Sequence, residues 1–274
     1  MGQVFTWDSI RRNEVPDAGS FEHVLSDLRE ELPGEESIVG AVVCGSVLRG
    51  EHTLRSDIDC FILYDHRRER DAFAYMRQAI AVALDRCVPL SFIPCDTLLA
   101  RTRMHHIGDS FLRHLQRSSE MDGLLKGNPL EHVAPSVREQ EELESYLRVK
   151  MYNLQEAYAQ SATFSDERRA TYLKKLYEAP VHVARKVLAI LEPLQSDSKS
   201  FVRSRYRELL PHNMVLQLEA LITADEEYTA LFPEAVGEWW EDEYRAYLST
   251  MMGRSEDVLN FIRSNLAFIA TTAR

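Results

Sequence analysis

Apolar positions recur at two different periods along this chain, and the change between them falls near residue 136. Residues 20–32, SFEHVLSDLREEL, place Phe21, Val24, Leu25, Leu28 and Leu32 on one helical face, and Pro33-Gly34 stops the run. Three short apolar runs rich in β-branched residues then predict buried strands: SIVGAVVCG, DIDCFILYD and RCVPLSFIP. RERDAFAYMRQAIAVALDR, between the second and third, has helical spacing and good helix formers. The predicted order is therefore helix, strand, strand, helix, strand, followed by shorter helices around 95–103 and 109–118.

LLKGNPLEHVAPS, with a glycine, an asparagine and two prolines, reads as a linker. Beyond it nearly every segment has helical period, with Pro180 expected to kink or restart the helix that contains it. The expectation is a two-domain protein of the α+β class: residues 1–130 hold a sheet with flanking helices, and residues 136–274 form an all-α helical bundle.

Composition narrows the possibilities without choosing among them. The 274 residues are 45% hydrophobic and 27% charged, an ordinary globular balance. No apolar run approaches the roughly 18–20 residues of a membrane span, and the first residues carry acids and lack an apolar signal core, so a cytoplasmic protein without a membrane partner is expected. The net charge of −11 argues against a broad surface for duplex DNA, while a local basic cluster still suits a small anion. Cys44, Cys60, Cys87 and Cys95 form no Cys-x-x-Cys pair and are expected to be reduced.

One stretch does not fit a purely structural role. Residues 42–65, VVCGSVLRGEHTLRSDIDCFILYD, set a Gly-Ser, an Arg-Gly and an Asp-x-Asp between two apolar runs. A strand has period two, so Asp57 and Asp59 project from one face and Ile58 from the other. Two neighbouring carboxylates repel unless a cation lies between them, and magnesium takes hard oxygen ligands together with nucleotide phosphates. Upstream, Gly45 allows close backbone approach, Ser46 offers a hydroxyl and an N–H, and Arg49 adds a donor fork for phosphate oxygens.

Gly45-Ser46, followed by Arg49-Gly50 and then Ser56-Asp57-Ile58-Asp59, resembles the signature of the DNA polymerase β-type nucleotidyltransferase superfamily, particularly small bacterial members with a C-terminal helical domain, such as the aminoglycoside nucleotidyltransferases. The resemblance implies a nucleotidyltransferase-type mixed sheet followed by a helical bundle. It also implies transfer of an NMP from an NTP, ATP in the first instance, to an acceptor hydroxyl with release of pyrophosphate. The acceptor it suggests is a small molecule, a protein or an RNA, with the acidic charge favouring a cationic small molecule. Under it Asp57 and Asp59 bind Mg2+, and Gly45, Ser46, Arg49, Gly50 and Ser56 bind the nucleotide. The alternative reading is a catalytically weak nucleotide-binding regulatory, toxin–antitoxin or defence protein.

That alternative arises because two-metal phosphoryl transfer commonly uses a further acid. Superfamily members often carry it on the next strand, yet VPLSFIPCD has none in its interior. Asp96 lies just past that strand and competes for the role with its ordinary use as a helix N-cap. Glu156 or Glu144 in the helical half are the other candidates, with Glu156 taken as the catalytic acid. Lys150 is the first choice there for a triphosphate contact, followed by Lys174, ahead of Lys175, Arg185 and Lys186. Arg101, Arg103, His105 and His106, and the Trp239-Trp240 pair rimmed by acids, are expected to serve the surface and the packing of the bundle.

Overall fold

In the computed structural model, the residues described are 6–12, 14–17, 19–102, 105, 107–134, 139–235 and 241–272. The chain divides into two compact units, one built on residues 15–139 and the other on residues 140–274. The second unit also takes in a short N-terminal helix, α1 (Trp7–Arg11). Thr6 caps α1 by accepting from the Ser9 N–H, and the Trp7 ring lies 6.2 Å from that of Tyr244 in the second unit.

The first unit follows the predicted order. After α2 (Ser20–Glu31) come β1 (Ile38–Cys44), β2 (Ile58–Tyr64), α3 (Glu69–Asp85) and β3 (Leu90–Asp96). Two helices follow, α4 (Thr97–Ala100) and α5 (Asp109–Ser118), and then β4 (Leu124–Lys126). The four strands form one mixed sheet in the order β3-β2-β1-β4, antiparallel at β1–β2 and β1–β4 and parallel at β2–β3. The parallel pair is joined through α3, because a parallel connection must return the chain across the sheet.

Both sheet faces are covered, which is why the strands read as continuous apolar runs. On one face Ile58, Cys60 and Ile62 of β2 pack with Val43 of β1 and with Phe21, Val24 and Leu28 of α2 and Ala72, Met76 and Ala79 of α3. On the other, Phe61 and Leu63 pack with Val42, Cys44, Cys95, Leu115 of α5 and Ala100 of α4.

Strand β4 corrects the linker expectation, since Leu124–Lys126 pair with Ala41 and Val42 of β1. Three residues are too few to show alternation, and the pairing comes from the open edge of β1. Lys126 clamps this edge by donating to the carbonyls of Glu35 at 2.5 Å and Pro33 at 3.3 Å. Gly123 has the Val43 carbonyl 2.5 Å from where a Cβ would stand, so the chain enters β4 at a point that admits no side chain.

The second unit contains α6 (Glu139–Gln160), α7 (Asp166–Leu191), α8 (Lys199–Leu209), α9 (His212–Ala235), α10 (Glu241–Met252) and α11 (Ser255–Thr272). Pro180 neither ends nor restarts α7, which runs through it with the proline buried. The lost backbone bond is outweighed by burial of most of the surrounding turns, among them Leu176, Tyr177, Val183, Ala184, Val187 and Leu188. At the centre of this unit the buried Tyr206 hydroxyl donates to Asn265 Oδ1 at 2.7 Å, and Asn265 Nδ2 donates to the Phe261 carbonyl at 2.8 Å. No helix among the described residues is long and apolar enough to cross a membrane.

Replacing Asn265 by Ala strands the Tyr206 hydroxyl in an apolar interior. The expected cost is about 1–3 kcal/mol in urea unfolding followed by circular dichroism. A Tyr206→Phe/Asn265→Ala double variant should recover part of that loss, and an undiminished loss would show that packing rather than the hydrogen bond dominates.

Candidate functional site

The register of the β1–β2 pair assembles the site. Cys44, the last residue of β1, pairs with Asp59, the second residue of β2, so the segment leaving β1 starts beside the acids. Gly45 takes φ +92, and a Cβ built on it would stand 3.4 Å from Asp59 Oδ2. The glycine is thus needed for the left-handed backbone, while the carboxylate of Asp59 lies directly over it. Asp57 immediately precedes β2, and Ile58 between the two acids is fully buried while both acids are half-buried.

The electrostatics agree with this gathering of charge. Burial pushes the Cys44 thiol well above its ordinary range, and the carboxylates of Asp59 and Asp57 push it further while Arg49 opposes them. Burial followed by Asp59 does the same to Cys60. These two cysteines are therefore thiols that fill the core, not nucleophiles.

The connection between the strands is held by its own polar side chains. Ser46 Oγ donates to Ser56 Oγ at 3.3 Å, and Ser56 Oγ accepts from the Thr53 N–H at 2.9 Å. The Glu51 N–H donates to the Ser46 carbonyl at 2.9 Å. Gly50 has φ +65 with nothing within 4 Å of a built Cβ, and its N–H donates to the Val47 carbonyl, so it turns the chain. His52 packs its ring on Phe21 of α2 with centroids 4.9 Å apart, which ties the connection to the core. Arg49 meets Glu51, Nε to Oε2 at 2.8 Å, with the two side chains 11% and 22% exposed.

The structure brings Gly45, Ser46, Arg49, Gly50, Ser56, Asp57 and Asp59 into one connection and the strand start it leads to. Glu156 and Lys150 lie on α6 in the second unit. Glu156 is exposed there, and Glu144 lies 3.9 Å from Arg148 one turn along. Burial lowers the pKa of Lys150, with Glu178 opposing and Lys175 adding to the effect. Lys174 is buried and pairs with Glu178 at 3.6 Å, while Arg185 donates to the Asp197 carbonyl at 2.8 Å. Lys186 lies over the Tyr146 ring at 5.3 Å.

The parallel pairing of β2 and β3 settles what stands beside Asp59. Its partner is Ser91, a neutral residue. Asp96 pairs with Tyr64, five residues and about 16 Å farther along the strand. It caps α4 by accepting from the N–H groups of Leu98 and Leu99 at 2.9 and 2.7 Å. Asp96 is thus an N-cap and does not reach back to the paired acids.

Of the basic group around residue 105, His105 accepts from the Ile107 N–H through Nδ1 and bonds the Ala134 carbonyl through Nε2 at 2.7 Å, which fixes a structural role and the Nε2–H tautomer. Arg101 is exposed. Arg103, His106, Trp239 and Trp240 lie outside the described residues.

Glu51 and Thr53 escaped sequence reasoning. Nothing in their spacing distinguishes them from loop filler, and only the folded connection shows that one meets the arginine and the other anchors Ser56.

Two half-exposed carboxylates joined by neighbouring hydroxyls and amides form a hard-oxygen donor set, which fits a magnesium ion shared with phosphate oxygens. Among the described residues no group of three or more His, Cys, Asp or Glu side chains gathers into a complete metal cage.

Residues 24–109 match the family described as Nucleotidyltransferase domain. The first unit therefore carries a nucleotidyltransferase domain, consistent with the DNA polymerase β-type superfamily, and the match supports transfer of a nucleotidyl group. The matched span runs from α2 through the Gly-Ser connection, both acids and β3, to the start of α5. No curated protein matches the chain.

Gly45→Ala forces φ +92 on a residue with a Cβ, which would stand in van der Waals contact with Asp59. It is expected to cost about 1–2 kcal/mol of stability. If Gly45 belongs to a nucleotide site, the wild type should melt at a higher temperature with Mg-ATP and the variant should lose that rise; an unchanged rise would remove Gly45 from the site.

Proposed function

We propose that this protein transfers an NMP from an NTP, ATP first, to a hydroxyl on an acceptor, releasing pyrophosphate, and that it depends on Mg2+. The observation that carries this reading is the placement of the Asp59 carboxylate over Gly45, which gives a glycine turn and an acid suited to a metal one location. In the reaction, the acceptor oxygen bonds to the α-phosphorus of the NTP, the bond from that phosphorus to the β-bridging oxygen breaks, and pyrophosphate departs. Magnesium, when bound, offsets the negative charge on the phosphates and on the leaving group.

The residues of this chain supply position and charge. Asp57 and Asp59 hold the metal, while Gly45, Ser46, Gly50 and Ser56 shape the turn that receives the phosphates and Arg49 neutralises one of their oxygens. From the helical unit, Lys150 adds a cation for the triphosphate. Partial burial and the neighbouring Lys175 lower its pKa while Glu178 opposes them, a state that an anionic ligand relieves. Glu156 takes the acceptor proton. Residues 1–130 act as the catalytic domain and residues 136–274 as the domain that selects the acceptor. With a net charge of −11 the protein suits a cationic small molecule better than a polyanion, and it works in the cytoplasm.

One observation favours a second reading. Ser91 stands beside Asp59 where a third acid would complete a two-metal site, so the protein is alternatively a nucleotide-binding regulator of the toxin–antitoxin or defence kind with little turnover.

The two readings part on a single assay. With α-labelled ATP, Mg2+ and a cell lysate, the wild type should label an acceptor, EDTA should stop it, and Asp57→Asn or Asp59→Asn should lower the rate by at least about a hundredfold. A wild type whose melting temperature rises with Mg-ATP but which labels nothing establishes the regulator instead.

A further inference from the structure

Arg49 has one partner among the described residues, Glu51, reached through Nε at 2.8 Å. Its two terminal nitrogens make no hydrogen bond there, although the side chain is 11% exposed. A guanidinium presents five N–H groups in a rigid plane, and fixing Nε to a carboxylate sets the direction of the outer pair. Glu51 is itself secured, because its backbone N–H donates to the carbonyl of Ser46, the residue whose hydroxyl joins Ser56. The acid that aims the arginine is therefore part of the same hydrogen-bonded connection that carries the Gly-Ser turn and leads into Asp57.

We infer that Glu51 is a positioning residue: it holds the Arg49 guanidinium by Nε so that the two outer nitrogens are presented together to one phosphate group of the bound nucleotide. This rests on the reading of Arg49 as a phosphate contact given above. The arrangement has a chemical logic. An arginine left loose in a half-buried connection would lose side-chain freedom on binding, whereas one already fixed by a carboxylate loses less, so more of the charge-assisted hydrogen bonding appears as affinity. A carboxylate that instead occupied the phosphate position would compete with the ligand, and its removal would tighten binding. The two roles thus differ in sign.

The test is calorimetric titration of the full-length protein with Mg2+ and inorganic tripolyphosphate, which lacks base and sugar and reports on phosphate contacts alone. Arg49→Ala is expected to weaken binding by about tenfold or more, and Glu51→Gln by about fivefold to tenfold. In the Arg49→Ala background, Glu51→Gln should have no further effect, a coupling that a merely structural role of Glu51 would not produce. Arg49→Lys, which keeps the charge and loses the planar fork, should resemble Glu51→Gln and serves as the second variant if the latter fails to fold. Unchanged binding in Arg49→Ala defeats the phosphate role of Arg49 itself. A loss in Arg49→Ala with unchanged or tighter binding in Glu51→Gln leaves that role standing and overturns the positioning role.

Discussion

The pairing of Cys44 with Asp59 across β1 and β2 is the constraint on which the site depends. Antiparallel register leaves no freedom here: once the apolar residues of β1 and β2 are matched in the core, the end of one strand and the start of the other must coincide. The glycine that follows Cys44 then lies under the carboxylate of Asp59. A slip of one residue would turn Asp59 into the face packed by α2 and α3 and expose Ile58, which is fully buried. The hydrophobic core thus enforces the geometry of a polar site at its rim.

The same core explains why two acids are tolerated at that rim. Asp57 and Asp59 are half-buried rather than sealed, and their charge acts on Cys44 at the strand end. Around them the connection satisfies its own backbone and hydroxyl groups through Ser46, Thr53 and Ser56. The turn between the strands is preorganised by ordinary loop hydrogen bonds, with the two carboxylates at its end.

The two units achieve stability by different means. In the first, a mixed sheet buried on both faces imposes long-range pairing, and its short edge strand β4 is clamped by Lys126. In the second, long amphipathic helices surround α7, which continues as one helix through Pro180, where the residues on both sides of the proline are buried. Helical propensity alone predicts a break there, and packing overrides it.

Local pattern by itself determined the strand and helix order of the first unit, the helical character of the second, and the grouping of Gly45, Ser46, Arg49 and the two acids, because these depend on period and on residues close in sequence. It did not reveal β4, whose three residues become a strand only against the edge of β1. Nor did it decide between a cap and a catalytic acid for Asp96, since that depends on a parallel register that sets Ser91, not Asp96, beside Asp59. The partnership of Arg49 with Glu51 is the finest of these differences: two residues separated by a single glycine in the chain meet only because the folded turn brings their side chains to the same side. Residue identity supplied the chemistry, and long-range pairing decided which groups share a location.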